Sequence, residues 1–261
     1  MSKDLNMEII AEEIIAWIRQ KLAATGGDKL IVSVLGDPES VVAAVLAVKA
    51  IGSENVYGIV MPNARQGNIG YAYTILEAYN IANVTLNYNN LAVVYYDMLS
   101  SLRGKLFKDY TRETIFSLPN RIKMTLLYAI AQSIPGSRIL STLNLTRRWI
   151  GYTTLYGDDF GTLAPLAGLT NTEVLEMERV LQLPPRRPQS QYDCGPSTKA
   201  DESTELGFSY STLNSYLREG QCKDAVIKAK IDQLHEATKY KFEPMSFYPS
   251  PLPILADDAD A

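Results

Sequence analysis

The residues best placed to do chemistry stand in a five-residue loop, Gly36-Asp37-Pro38-Glu39-Ser40. An apolar run from Ile31 to Leu35 leads into it, and a long apolar stretch closed by Gly52 leaves it. That order reads as strand, tight loop and helix. Such a loop collects backbone N–H groups and the positive end of a helix dipole at one point, which favours an anion. It lacks GxxxxGK[ST] and GxGxxG, so it is neither a Walker loop nor a dinucleotide fingerprint. On spacing alone it also fits an ordinary βα turn in which Glu39 and Ser40 cap the helix.

Other chemistries are bounded by scarce residue types. His235 is the one histidine, which excludes a multi-histidine metal site. The two cysteines, Cys194 and Cys222, form no CxxC pair, so neither a disulfide framework nor a zinc site is expected. A net charge of −4 argues against a general nucleic-acid binder, which needs a basic footprint. The opening MSKDLNMEIIAEEIIAWIRQKL mixes acids with apolar residues and lacks signal-peptide order. No uncharged apolar run reaches the roughly 18 residues of a membrane span. The expectation is a cytoplasmic protein with neither nucleic acid nor membrane as a partner.

The loop needs a scaffold, and the hydrophobic pattern supplies one. With 261 residues, 46% hydrophobic and 21% charged, the chain has material for a sizeable core. Ile9, Ile10, Ile14, Ile15, Ile18 and Leu22 predict a helix from about Asn6 to Ala24. Strands are predicted over Lys29–Leu35, Asn55–Met61 and Ala82–Asn87, with helices Ser40–Ile51 and Gly70–Tyr79 between them. This β-α-β-α-β order implies a parallel sheet with right-handed crossovers. Helices over Leu91–Leu106 and Leu118–Ser133 follow, then a strand over Arg138–Thr142. A helix over Thr172–Leu181 takes Thr170 or Asn171 as its cap. Pro184–Thr198 reads as an exposed loop. Helices Ser209–Glu219 and Ala225–Tyr240 precede an irregular tail from about residue 244. No linker divides the chain, so residues 1–261 read as one domain. Ligands of open parallel sheets bind beyond the carboxyl ends of the strands, the end that carries the loop.

Several blocks, in order, resemble one family. VLGDPESVVAAVLAVKAIG is similar to the pyrophosphatase loop and helix of the ammonia-dependent NAD synthetases, SGGxDSxVVAALAVKALG. VYGIVMP resembles their second strand, and RIKMTLLYAIA their ARxRMxxLYxxA helix. STLNLTRRWIGYTTLYGDDFGTLAPLAGLTNTEV resembles GTGNxSExxxGYFTKYGDGGADIxPIxxLxKTxV, and ADESTELGFSYSTLNSYL resembles a late family block. The resemblance runs from about Ala11 to Lys241. It implies an α/β fold: a three-layer doubly wound parallel sheet of the adenine-nucleotide α-hydrolase type. It implies a homodimer, joined through the Leu118–Ile130 helix and its neighbours. It implies ATP and Mg2+ as cofactors, adenylation of deamido-NAD, and displacement of AMP by ammonia. That reaction needs a polyphosphate cradle and positive groups for developing charge, and no histidine base.

The resemblance assigns roles position by position. Gly36, Asp37, Glu39, Ser40, Met61, Arg121 and Thr142 fall on the ATP side. Lys123, Tyr128 and Asp158 fall on the deamido-NAD side, although Tyr128 is equally readable as a core or interface aromatic. Glu39 matches a magnesium ligand, but the second ligand position holds Arg147. Arg147 either takes the cation's place and pairs with Glu39 or Asp37, or forms a solvated pair with Arg148. Asp37 puts a carboxylate where a phosphate belongs, and Pro38 removes one N–H donor. Asn171 and Tyr240 replace a lysine and a histidine, while Asn144 and Lys241 are kept. Arg65 approaches a phosphate or lies exposed. Three functions are compatible: a divergent NAD synthetase, a catalytically impaired dimeric paralogue binding a nucleotide or protein partner, or an enzyme of this fold with another acyl substrate.

Overall fold

The computed structural model describes residues 6–62, 69–157, 160–186, 206–250 and 252. Arg65, Asp158, Cys194 and most of the expected 184–198 loop lie outside the described residues.

Helix α1 (Met7–Ala24) begins at Asn6, whose side chain accepts the Glu8 N–H at 2.9 Å. Its buried residues Ala11, Ile15, Ile18 and Leu22 recur every three or four positions, one helix face. Strand β1 (Lys29–Ser33) leads through the Gly36 loop into α2 (Pro38–Ile51). Pro38 sits in the first turn, where its missing N–H costs no hydrogen bond. Strand β2 (Val56–Val60), α3 (Ile69–Ala78) and β3 (Ala82–Thr85) complete the first half. Helices α4 (Asn89–Ser100) and α5 (Arg112–Ser133) then lead to β4 (Ser137–Leu140) and the short α6 (Leu145–Trp149). Among the described residues, α7 (Asn171–Val180), α8 (Tyr210–Glu219) and α9 (Ala225–Thr238) follow. None of the described helices is long and apolar enough to cross a membrane.

The strands are parallel in the order β3-β2-β1-β4, so the switch point lies between β1 and β4. Strand side chains alternate between two cores, as the two-residue period requires. Leu30, Val32, Val56, Val60 and Leu140 pack with α1, α2 and α7. Ile31, Ile59 and Ile139 point the other way, against Ile122, Met124 and Leu127 of α5. The sheet is therefore covered on both faces, which is the expected three-layer doubly wound arrangement. A third cluster, including Ile150, Leu213 and Ile231, packs α8 and α9 beside α6.

Several boundaries differ from their sequence expectations. Helix α4 runs from Asn89 to Ser100 and not from Leu91 to Leu106, and β4 begins at Ser137 and ends at Leu140. Helix α5 starts at Arg112, well before Leu118, and runs through Pro119. A proline there cannot donate to the carbonyl four residues earlier. That carbonyl, Ile115 O, instead accepts the Tyr96 hydroxyl of α4 at 3.0 Å. The helix therefore tolerates an interior proline because its neighbour supplies the missing donor.

Candidate functional site

The loop between β1 and α2 is closed by its own side chains. Gly36 has φ +84°, a left-handed conformation that favours glycine. Asp37 is the cap of α2 and accepts the Ser40 N–H at 2.9 Å. Ser40 Oγ accepts the Leu35 N–H at 3.1 Å and donates to Asp37 O at 3.2 Å. The Asp37 carboxylate thus lies at the positive end of the helix, a position favourable to an anion. The loop carries its own negative group where the family resemblance expects a phosphate.

Glu39 stands in the first turn of α2 and faces the second motif. Its Oε1 accepts Asn144 Nδ2 at 2.7 Å. Asn144, 1% exposed, also caps α6 by accepting the Arg147 N–H at 2.9 Å. One side-chain amide therefore joins the β1–α2 loop to the start of α6 across the β1–β4 crevice. Burial pushes the Glu39 carboxyl above its ordinary value; the positive charge of Arg147 opposes this, and Asp37 adds to it.

A raised value means that the folded state favours the protonated carboxyl. The stability from this group is complete below its ordinary value of 4.5 and is lost as pH climbs through the raised one. Glu39→Gln is therefore expected to gain stability over the wild type between about pH 4 and pH 8. Urea unfolding at both pH values checks this, and an equal difference at each would contradict it.

Asp37, Ser40, Lys123, Thr142, Ser33 and Phe160 line a cavity of about 20 Å³ beyond the strand ends, room for roughly one water. Lys123, assigned by resemblance to the deamido-NAD side, lines this same cavity and is buried. Gly161 makes room for the cavity wall, because a Cβ there would lie 2.9 Å from Ile139 O and 3.0 Å from Ser141 N. This close approach lets Thr162 N donate to Ile139 O, and Ser141 N to Leu163 O, both at 2.7 Å.

Other assigned residues stand apart from the cavity. Met61 is fully buried in the core beneath α5. Arg121 Nε donates to Leu155 O at 3.1 Å. Tyr128 is 40% exposed on α5. Asn171, at the position of the family lysine, belongs to an amide network: Asn214 Nδ2 donates to its Oδ1 at 2.7 Å, and Thr146 Oγ1 donates to Asn214 Oδ1 at 2.8 Å. Lys241 Nζ donates to Gly151 O and Thr153 O at 2.9 and 3.1 Å.

The structure adds a residue that sequence reasoning missed. Arg186 donates from Nη1 to Gly36 O at 2.6 Å. Between prolines and beside a second arginine, it carries only the local signature of a surface loop.

The donor set also bears on magnesium. Among the described residues, no three carboxylate, histidine or cysteine side chains gather into a metal site. Glu39 is hydrogen-bonded to Asn144 and lies under the positive charge of Arg147. A divalent cation held between positions 39 and 147 would face that guanidinium charge. These residues do not fit a magnesium ion there.

The NAD synthase family model matches residues 10–245. An NH3-dependent NAD synthetase from Mycoplasmopsis pulmonis is 31% identical over 235 residues, covering 87% of this chain and 85% of that one. The enzyme of the same description from Thermococcus kodakarensis is 29% identical over 213 residues, 82% and 81% of the two chains. Among solved structures, the NMN synthetase from Francisella tularensis superposes with a TM-score of 0.80 at 21% identity, covering 95% of this chain and all of the other. The NH3-dependent NAD synthetase from Campylobacter jejuni superposes with 0.71 at 18% identity, covering 94% of this chain and 100% of its own. The structural matches establish the fold; the family model and the sequence relatives establish more, namely that the chain belongs to the NAD synthase family.

Proposed function

We propose that this protein is a ligase acting at the β1–β4 crevice, by the reaction that characterises the family. That reaction is ATP-dependent amidation of deamido-NAD with ammonia to give NAD. A carboxylate oxygen of the nicotinate ring attacks the α-phosphorus of ATP, and pyrophosphate leaves. Ammonia then attacks the acyl carbon, and AMP leaves. The observation that carries this reading is the convergence of Ser40, Thr142 and Lys123 on one cavity at the switch point. Thr142 brings a hydroxyl and Lys123 an ammonium, donors of the kind a phosphate oxygen needs, while the Ser40 hydroxyl is already given to Asp37 O. ATP is the cofactor this reading requires. No step is assigned to magnesium, because positions 39 and 147 do not fit it. The reading treats residues 1–261 as one functional unit, cytoplasmic, with nucleotides as its small-molecule partners.

A second reading rests on the Asp37 carboxylate at the α2 N-terminus. It is a catalytically impaired paralogue that keeps a nucleotide pocket. One assay separates the two: NAD formation from deamido-NAD, millimolar ATP and ammonium by the purified protein. Turnover abolished by Lys123→Met supports the ligase; deamido-NAD binding without turnover supports the paralogue. The Francisella neighbour is named for NMN, so nicotinate mononucleotide is run as a parallel substrate.

The partner expected for the protein itself is a second copy. Val93, Val94 and Met98 of α4 and Phe116 of α5 are more than half exposed, on two helices that touch through Tyr96. Exposed apolar side chains grouped on two touching helices suit an association surface. Sedimentation at micromolar concentration is expected to show a dimer, and Val94→Glu with Met98→Glu to shift it to monomer. A stable wild-type monomer would refute the assignment.

A further inference from the structure

Arg186 takes part in a contact that the reaction above does not use. Its Nη1 donates to Gly36 O at 2.6 Å, and its Nε donates to Glu178 Oε1 at 3.0 Å. The guanidinium carbon lies 4.2 Å from the centroid of the Tyr71 ring. The Tyr71 hydroxyl lies 2.7 Å from Pro184 O and 3.1 Å from Glu178 Oε1, two acceptors that share its single proton. Burial and the Glu178 carboxylate push that hydroxyl up to about 12, so it remains a donor at neutral pH. Arginine suits this place because its planar fork makes several directed bonds while its face stacks on an aromatic ring.

The arrangement favours geometry over charge. Glu178 pairs with Arg186 at 3.0 Å, so the guanidinium charge has a carboxylate partner beside it. What remains is a fixed direction for one peptide. In a planar trans peptide the carbonyl and the following N–H point in opposite directions. With the Gly36 carbonyl held by Arg186, the Asp37 N–H is turned away from it.

We propose that Arg186 is a positioning residue for the phosphate loop: braced by Glu178 and Tyr71, it fixes the Gly36–Asp37 peptide and so sets the loop's shape for the anionic end of a nucleotide. The nucleotide part rests on the ligase reading above; the loop part does not.

The test compares Arg186→Met and Arg186→Lys with Arg218→Met. Arg218 also pairs with a glutamate, Glu173, and donates to a carbonyl, Gly168 O at 2.8 Å. Removing it breaks a similar set of bonds away from the loop. Hydrogen exchange of the 35–40 amides is expected to speed up by about tenfold or more in Arg186→Met, and nearly as much in Arg186→Lys, since a single ammonium cannot replace the fork. Arg218→Met should leave those amides within about twofold of the wild type, and α1 amides should not respond in the Arg186 variants. In calorimetric titration, the Kd for ATP should rise about tenfold in both Arg186 variants while that for deamido-NAD stays unchanged. Unchanged loop exchange in Arg186→Met, or equal acceleration in Arg218→Met, overturns the proposal. If the wild type binds no ATP, the ligase reading fails and the exchange result alone decides the role of Arg186.

Discussion

Asp37→Gly combined with Arg147→Glu is expected to tighten Mg-ATP binding by about 100-fold, from an affinity weaker than micromolar in the wild type. The expectation follows from two charges. Asp37 places a carboxylate on the N-terminus of α2, bonded to the Ser40 N–H at 2.9 Å. A triphosphate entering that place meets a like charge, and a pair of like charges a few ångströms apart costs several kcal/mol at the dielectric of a half-buried site. Arg147 presents a cation where the family resemblance expects a metal-binding carboxylate, and its field already acts on Glu39. Glycine at 37 costs the helix cap only a few tenths of a kcal/mol, so the fold should survive the change. Asp37→Asn is the control: it keeps a capping oxygen and removes the charge, so it should recover part of the gain. Calorimetric titration decides the matter. Micromolar binding of Mg-ATP by the wild type, or no tightening in the double variant, would sink the charge argument.

The second large effect concerns the scaffold. Leu46→Ala is expected to cost about 2–5 kcal/mol of unfolding free energy. Leu46 has no exposed surface and belongs to the core joining α1, α2, α7 and the sheet. The α2 helix buries nine of its fourteen residues, so little room exists for neighbours to collapse into the space left behind. Urea unfolding at neutral pH measures the loss, and a value below about 1 kcal/mol would show that the site relaxes freely. Because α2 also carries Asp37, Glu39 and Ser40 in its cap and first turn, the same change should loosen the loop before it unfolds the domain.

Much of the architecture was legible from pattern alone. The alternation of short β-branched runs with amphipathic stretches predicts the parallel sheet; the first three strands lie inside their expected ranges, and the fourth starts one residue early, at Ser137. The Thr170 cap is realised with a reciprocal Glu173 bond, the capping box that the TNTE sequence allows. Three features escaped for physical reasons. Pro119 reads as a helix start, because the donor that rescues it comes from Tyr96 on another helix. The five residues of α6 are too few to show a period. Arg186 has no local signature, since its meaning depends on Tyr71, Glu178 and Gly36. At the site, the loop and the Asn144 motif were visible by resemblance. That Asp37 would serve as a helix cap, and Asn144 as a bridge to Glu39, required coordinates. Side-chain direction decides both, and sequence spacing does not encode it.

The tie between Arg186 and Gly36 spans 150 positions, and that between Asn144 and Glu39 spans 105. A chain emerging from the ribosome presents the loop long before either partner exists. Strands β1 and β2 pair in parallel through α2, so this early unit can form while the rest is still being made. Its loop must then wait, first for β4 and the Asn144 turn, and last for Arg186. Contacts of such long sequence separation are slow to close, because loop entropy is lost before they form. A loop made early in the nascent chain is thus among the last parts to take its working shape, and a truncated product ending before residue 186 would carry a sheet without a finished loop.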